Sequence, residues 1–135
     1  MRKTISASLL LLSMAAACRP NEESAHDAGW AYNAVVYEMN VRQYTEEGTF
    51  DAAREHLPRL RELGVDIVWL MPIHEIGVKG RKGTLGSYYA IKDYKSVNHE
   101  FGTLEDFDEF VAEAHRCGLK LIIDLMDEVE RLKSQ

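Results

Sequence analysis

Three short apolar runs recur along the chain, and each is long enough for one β-strand. They span residues 34–39, 65–72 and 120–125. The second run, Val-Asp-Ile-Val-Trp-Leu-Met-Pro, is almost continuously apolar, which is typical of a strand covered on both faces. The sequence therefore predicts three buried strands.

A helical pattern joins the first two runs. Its apolar residues recur every three or four positions and are Phe50, Ala53, Leu57, Leu60 and Leu63. Thr49 precedes this stripe as a candidate N-cap, and Gly64 follows it and suits a left-handed helix end. Because Pro58 has no backbone N–H, we expect it to kink the segment or to restart the helix.

A second helical pattern leads into the third run. Its apolar side consists of Phe107, Phe110, Val111, Ala114 and Cys117. Thr103 and Asp106 have the spacing of a capping box, and Gly118 ends the pattern. Helices that alternate with strands imply right-handed crossovers and a parallel sheet. The predicted fold class is α/β.

A long connection separates the second strand from the second helix. It covers residues 73–102, has no clear hydrophobic period and contains Gly77, Gly80, Gly83 and Gly86. A connection of this length in a compact α/β unit is usually functional. It also leaves the carboxyl end of a strand, where parallel-sheet proteins place their sites.

The connection carries aromatic rings among hydrogen-bonding groups. The rings are those of Tyr88, Tyr89, Tyr94 and Phe101, and the polar groups are His74, Asp93, Asn98 and His99. Flat rings beside polar groups suit a sugar, because its C–H faces stack on aromatic rings while its hydroxyls form hydrogen bonds with polar side chains. The alternative is that the rings pack the loop onto the fold, as we expect for those other than Tyr89. Lys79, Arg81 and Lys82 are expected to form a solvated loop tip.

The first 17 residues have the pattern of a secretory signal peptide. Arg2 and Lys3 precede an apolar stretch, residues 5–17, that is too short to span a bilayer. It closes on three alanines before Cys18, which resembles the lipobox of bacterial lipoproteins and predicts lipidation of Cys18. An ordinary cleavage site is the alternative. Residues 18–29 would then tether a domain at 30–125 to a bacterial envelope membrane after secretion across the inner membrane.

Charge and cysteine content exclude several function classes. The 16 basic and 22 acidic residues give a net charge of −6 and no broad basic surface, so we expect no binding to nucleic acid. Two cysteines, Cys18 and Cys117, are too few for a disulfide scaffold and do not form a Cys-x-x-Cys zinc motif. The sequence predicts neither a metal nor a cofactor.

Four ordered segments resemble the α-amylase family, glycoside hydrolase family 13. They are Val-Tyr-Glu-Met-Asn-Val-Arg-Gln-Tyr-Thr (36–45), Leu-Gly-Val-Asp-Ile-Val-Trp-Leu-Met-Pro-Ile (63–73), Gly-Ser-Tyr-Tyr-Ala-Ile-Lys-Asp-Tyr (86–94) and Glu-Phe-Gly-Thr (100–103). The resemblance implies an incomplete (β/α)₈ TIM barrel with about three parallel strands and two helices, and an α-glucan or maltooligosaccharide as the partner. It also implies that Tyr89 stacks under the sugar ring next to the scissile bond.

The chain departs from this family in the third strand. The family's strand ends in Asp-x-x-x-Asn-His; Asp124 fits, but Glu128 and Val129 stand where Asn and His belong. Residues 126–135 read as an aberrant charged tail, and the calcium-loop motif of some members is missing. By the resemblance, the family's catalytic Asp, Glu and Asp all lie beyond strand three. No catalytic residue is therefore carried over to this chain.

The acidic residues near the predicted strand ends do not replace the missing pair. Retaining glycoside hydrolysis needs two carboxyl groups about 5 Å apart with different pKa values. Glu38, Glu75 and Asp93 lie near strand ends, but nothing in the sequence separates their pKa values. We expect them to be solvated surface residues.

Three strands do not close a barrel, which takes eight strands and about 250 residues. A three-stranded piece has open edges and uncovered apolar faces. We therefore expect the isolated chain to be poorly stable, to self-associate or to need a companion.

Three functional hypotheses follow from the sequence. The first is a truncated α-amylase-like glycosidase, inactive as this chain. The second is a non-catalytic, secreted glucan-binding lipoprotein that keeps the aromatic loop. The third is an unrelated small α/β module, such as a flavodoxin-like one, which would need a phosphate-binding glycine turn that residues 40–45 lack.

Overall fold

The computed structural model describes residues 28–125, and the chain divides into two compact units after Tyr32. In the first unit the structure describes the beginning of a 3₁₀-helix, Ala28–Asn33. The elements of the second unit are β1 (Val36–Met39), α1 (Val41–Tyr44), α2 (Phe50–Arg54), α3 (Leu57–Glu62), β2 (Ile67–Leu70), β3 (Glu75–Ile76), β4 (Ile91–Asp93), α4 (Leu104–Arg116) and β5 (Lys120–Ile123).

Several sequence predictions fall outside the described residues. They are the signal peptide, the lipidation of Cys18, most of the tether and the charged tail. Within residues 28–125, no helix is both long enough and apolar enough to cross a bilayer.

β1, β2 and β5 form one parallel sheet in that order, with β2 in the centre. Val36 lies beside Ile67, and Ile67 lies beside Lys120. The parallel order and the intervening helices confirm the predicted α/β class. The strands are shorter than the apolar runs, however, since β2 takes only Ile67–Leu70 from the run 65–72.

One face of the sheet is covered by helices. Met39, Val68 and Leu70 point to this face and are at most 1% exposed. They share a core with side chains of α2, α3 and α4: Phe50, Ala53, Leu57, Leu60, Phe110 and Ala114. We call this the helix-covered face. Burial of these aliphatic and aromatic groups supplies the main apolar stabilisation of the unit.

The opposite face, which we call the open face, is largely exposed in the described part of the chain. Val36 is 49% exposed, Trp69 38% and Ile122 47%, whereas Ile67 is buried. The prediction that the second strand is covered on both faces is therefore wrong at Trp69. The apolar run shows that Trp69 is suited to burial, but it does not show whether a covering element is present.

The local helix signals are confirmed. Thr49 is the N-cap of α2, and its hydroxyl accepts a hydrogen bond from the Ala52 N–H. Pro58 lies in the first turn of α3, so the predicted helix is indeed restarted there. Thr103 and Asp106 form a complete capping box at the start of α4. Gly64, with a φ of 89°, follows the end of α3.

Two segments for which the sequence predicts no helix or strand contain short elements. β3 and β4 pair as an antiparallel ribbon inside the connection 73–102, with Glu75 beside Asp93. α1 forms in the polar stretch after β1, and its Val41 is buried. These elements have two to four residues and carry no apolar run of the kind that marks β1, β2 and β5, so the sequence pattern missed them.

Candidate functional site

The long connection folds back over the carboxyl ends of β1, β2 and β5. Its Tyr89 donates a hydrogen bond from the phenol to Asp124 Oδ2 at 2.7 Å. Asp124 directly follows β5 and extends the ladder, because its N–H donates to the Leu70 carbonyl at 2.9 Å. This contact brings together the tyrosine and the aspartate that the family resemblance had singled out separately.

The Asp124 carboxylate favours the protonated form of the Tyr89 phenol. The hydrogen bond to Asp124, together with partial burial and the negative charges of Asp124 and Glu38, raises the pKa of the Tyr89 phenol. Tyr89 therefore remains a neutral donor across the physiological range. One Asp124 oxygen is engaged by this phenol, and a carboxylate has further lone pairs that can accept from a ligand hydroxyl.

A tight turn before Tyr89 fixes the direction of its backbone. The Tyr89 N–H donates to Ser87 Oγ at 3.3 Å, and the Ala90 N–H donates to the Ser87 carbonyl at 3.0 Å. Gly86 has a φ of 74°, and a Cβ there would lie 2.9 Å from the Ile76 side chain. Only glycine satisfies both conditions without displacing the turn from β3.

The other aromatic residues of the connection have different environments. Phe101 is 2% exposed and belongs to the core, and Tyr88 packs against the core with partial burial. Tyr94 is 43% exposed, with its ring 5.9 Å from the ring of His74. Packing therefore accounts for Phe101 and contributes to the position of Tyr88, as the sequence led us to expect.

The polar residues of the connection mainly hold the loop together. Asn98 is buried, its N–H donates to the Ile73 carbonyl, and its side-chain oxygen accepts from the Glu100 N–H. His74 Nδ1 lies 2.8 Å from the Ser96 carbonyl oxygen. These contacts are internal to the segment 73–102, so they shape the loop rather than offer free groups to a ligand.

Two of the three acidic candidates are likewise engaged within the loop. Glu75 Oε1 accepts from the His99 N–H at 3.0 Å and lies 2.6 Å from His99 Nδ1, and these bonds lower the pKa of Glu75. Asp93 Oδ1 accepts from the Lys95 N–H at 2.9 Å. Asp93 is exposed, as expected for a surface residue, whereas Glu75 is only partly exposed and its carboxylate is held by His99. Glu38 is exposed, beside Trp69 in the register of β1 and β2.

The basic loop tip is exposed at Lys79, Arg81 and Lys82. Arg81 nevertheless donates to the carbonyls of Gly77 and Ile76. It therefore braces the turn, which a purely solvated tip would not do. Among residues 28–125, no group of three or more His, Cys, Asp or Glu side chains is arranged to hold a metal ion.

Sequence reasoning missed two polar residues at the end of β1. Asn40 Nδ2 donates to the Tyr88 phenol at 3.2 Å, and Arg42 lies over the ring of Tyr88. The signal that was available is their position, since they directly follow the carboxyl end of a parallel strand. Both contacts join residues more than 40 positions apart in the sequence, which no local pattern reveals.

Comparison with known proteins gives a consistent match. The family model described as "Alpha amylase, catalytic domain" matches residues 21–128. An α-glucosidase of Pediococcus pentosaceus is 36% identical over an alignment of 114 residues, and the match covers 77% of this chain and 19% of the relative. A trehalose synthase of Thermus thermophilus is 38% identical over an alignment of 105 residues, and the match covers 74% of this chain and 10% of the relative.

A solved structure shows the same arrangement of elements. The crystal structure of an α-amylase from Lactobacillus plantarum matches with a TM-score of 0.67 and 49% sequence identity, covering 68% of this chain and 22% of that protein. The described fold is thus similar to part of an α-amylase-type barrel. The chain spans less than a quarter of each of these matched proteins.

Proposed function

Since the chain belongs to the α-amylase family, we propose that its long connection forms the α-glucan-binding part of a glycoside hydrolase site. Family membership excludes the unrelated flavodoxin-like module. The proposal for α-glucans is supported by the names of the matched proteins, an α-glucosidase, a trehalose synthase and an α-amylase. It does not specify the linkage, and it does not distinguish hydrolysis from transglycosylation.

The observation that carries the proposal is the contact between Tyr89 and Asp124. It places a partly exposed aromatic ring and an anionic acceptor side by side at the carboxyl end of the sheet. An aromatic ring offers its face to the C–H groups of a sugar, and a carboxylate accepts hydrogen bonds from sugar hydroxyls. Because Asp124 fixes the phenol, the ring is oriented before a ligand arrives.

We propose further that the described residues bind an α-glucan without hydrolysing it. Retaining hydrolysis needs one carboxylate to attack and another carboxyl group to donate a proton, about 5 Å apart. Glu75 and Asp93 hold the loop, and Asp124 is bonded to Tyr89. This arrangement fits both a truncated, inactive glycosidase and a non-catalytic glucan-binding lipoprotein.

The experiment is affinity electrophoresis of the chain in gels that contain amylose. We expect the wild-type chain to be retarded, and Tyr89→Ala to weaken the apparent affinity about tenfold or more. Tyr94→Ala is the matched control, because Tyr94 is an exposed tyrosine of the same loop. Absence of retardation in the wild type, or equal loss in both variants, would contradict the proposal.

Hydrolysis is tested separately with the same preparation. We expect no release of reducing ends from amylose by the chain alone. Measurable release that Tyr89→Ala abolishes would overturn the non-hydrolytic part of the proposal and leave the binding part standing.

We also propose that the chain is secreted and anchored through a lipid on Cys18. The support is the charged and apolar pattern of residues 1–17 followed by Cys18. Mass spectrometry of the chain expressed in a bacterium should find a diacylglyceryl-modified Cys18 at the N-terminus. Cys18→Ala should release the chain from the membrane fraction. An unmodified Cys18 in the wild type would contradict the proposal.

A further inference from the structure

Arg42 occupies an unusual environment beside the candidate site. It lies in α1, and its side chain is 16% exposed. Its guanidinium carbon is 4.9 Å from the ring centre of Tyr88 and 5.5 Å from that of Phe101. A guanidinium nitrogen also donates to the Glu100 carboxylate. Arg42 therefore uses its flat faces for the rings and its N–H groups for the ion pair.

These partners belong to two distant points of the connection. Tyr88 directly precedes Tyr89, whereas Glu100 and Phe101 lie just before α4. Asn40 adds a second hold on Tyr88 through the bond to its phenol at 3.2 Å. The segment after β1 therefore contacts the connection at two places: at Tyr88, next to Tyr89, and at Glu100 and Phe101, near its end.

Tyr89 is consequently fixed from two sides. Its own phenol is bonded to Asp124 after β5, and its neighbour Tyr88 is held by Arg42 and Asn40 after β1. The preceding glycines, Gly83 and Gly86, permit wide backbone movement if one hold is lost. Release of Tyr88 would let the Tyr89 ring leave its position, and a ligand would then have to order it again.

We propose that Arg42 is a positioning residue, which holds Tyr88 and Phe101 so that Tyr89 keeps the orientation needed to stack on a sugar. The inference rests on the proposed function, because it assigns to Arg42 a role in that same site. The inference goes beyond the proposed function because it names a residue that acts on the site without touching the sugar. Lysine would keep the charge but lose the planar group that faces two rings and one carboxylate together.

The first test compares the affinity of Arg42 variants for maltoheptaose by isothermal titration calorimetry. We expect Arg42→Met to weaken binding about tenfold and Arg42→Lys to fall between it and the wild type. Arg54→Met is the matched control, since Arg54 joins α2 to α4 through its ion pair with Glu109, which does not involve the loop. Unchanged affinity in Arg42→Met, or an equal loss in Arg54→Met, would overturn the inference.

The second test needs no glucan. The chain is labelled with 3-fluorotyrosine, the Tyr89 resonance is assigned with Tyr89→Phe, and its fluorine shift is followed against pH. The bond to Asp124 raises the pKa of Tyr89 in the wild type. We expect Arg42→Met to return this pKa towards the ordinary value, Arg42→Lys to do so in part, and Arg54→Met to leave it unchanged.

The two tests separate failure of the inference from failure of the proposed function. If the wild type does not bind maltoheptaose but Arg42→Met still shifts the Tyr89 titration, the positioning role stands and the proposed function falls. If Arg42→Met leaves the Tyr89 titration unchanged in a folded chain, the positioning role falls. Circular dichroism establishes folding, and Arg42→Lys decides the matter if Arg42→Met does not fold.

Discussion

The two faces of the parallel sheet differ in how completely other side chains cover them. On the helix-covered face, Phe50, Leu60 and Phe110 are fully buried among side chains from three helices. On the open face, Val36, Trp69 and Ile122 are 38–49% exposed. The first face has the packing of a domain core, whereas the second exposes an apolar surface suited to a further layer. The candidate site lies at the carboxyl end of the sheet. A few hydrogen bonds between residues that are distant in the sequence hold it in place.

The largest expected difference between the two faces is in stability. Leu60→Ala should reduce the free energy of unfolding by about 2–5 kcal/mol, because it removes buried methyl groups and leaves a cavity. Ile122→Ala should cost about 1 kcal/mol or less, because nearly half of that side chain is already exposed. Urea denaturation followed by circular dichroism measures both. At protein concentrations where the chain is monomeric, similar losses would contradict the exposure of Ile122 on the open face.

A second expected difference concerns association. We propose that the isolated chain self-associates through the open face, since apolar surface of this kind favours contact with another copy. Sedimentation velocity should show a concentration-dependent increase in mass that Ile122→Lys reduces. Val78→Lys, at an exposed position of the loop tip, is the control and should leave the association unchanged. A wild-type chain that stays monomeric at all concentrations would contradict this role of the open face.

A smaller effect is expected from pH at the start of α4, on the helix-covered side. Hydrogen bonds from the Thr103 N–H and hydroxyl lower the pKa of Asp106 in the folded chain. Because the folded pKa is below the unfolded value of about 3.9, this contribution to stability is present at neutral pH and is lost as the pH falls through the folded pKa. Asp106→Asn should therefore make the stability of the chain depend less on pH at acidic pH.

The control for this prediction is Asp108→Asn, which changes an exposed carboxyl of the same helix. Thermal unfolding between about pH 2 and pH 7 measures both variants. If the stability of Asp106→Asn depends on acidic pH as strongly as that of the wild type, the capping box does not contribute to the pH dependence.

The sequence predicts the helix-covered face better than the site. The N-cap at Thr49, the restart at Pro58 and the capping box at Thr103 each follow from residues a few positions apart. Such local signals predict the helices. Because helices that join successive strands imply parallel strands, they also predict the parallel order of the sheet. The exposure of Trp69 does not follow, because an apolar run has the same composition whether or not another layer covers it.

The contacts of the site could not be predicted from local patterns. Tyr89 and Asp124 are 35 residues apart, and Asn40 and Tyr88 are 48 apart. The ribbon of β3 and β4 pairs two short segments across the loop. The loop composition and the family resemblance both pointed to Tyr89, but only the resemblance pointed to Asp124, and neither linked the two residues. Their contact, and the contribution of Arg42, required the folded structure.

A crystal structure of the chain bound to maltoheptaose tests the central claim most directly. It should show one glucose ring stacked on Tyr89, with a sugar hydroxyl within hydrogen-bond distance of Asp124. A maltoheptaose molecule bound at Tyr94 or on the open face, with Tyr89 and Asp124 unoccupied, would contradict the account.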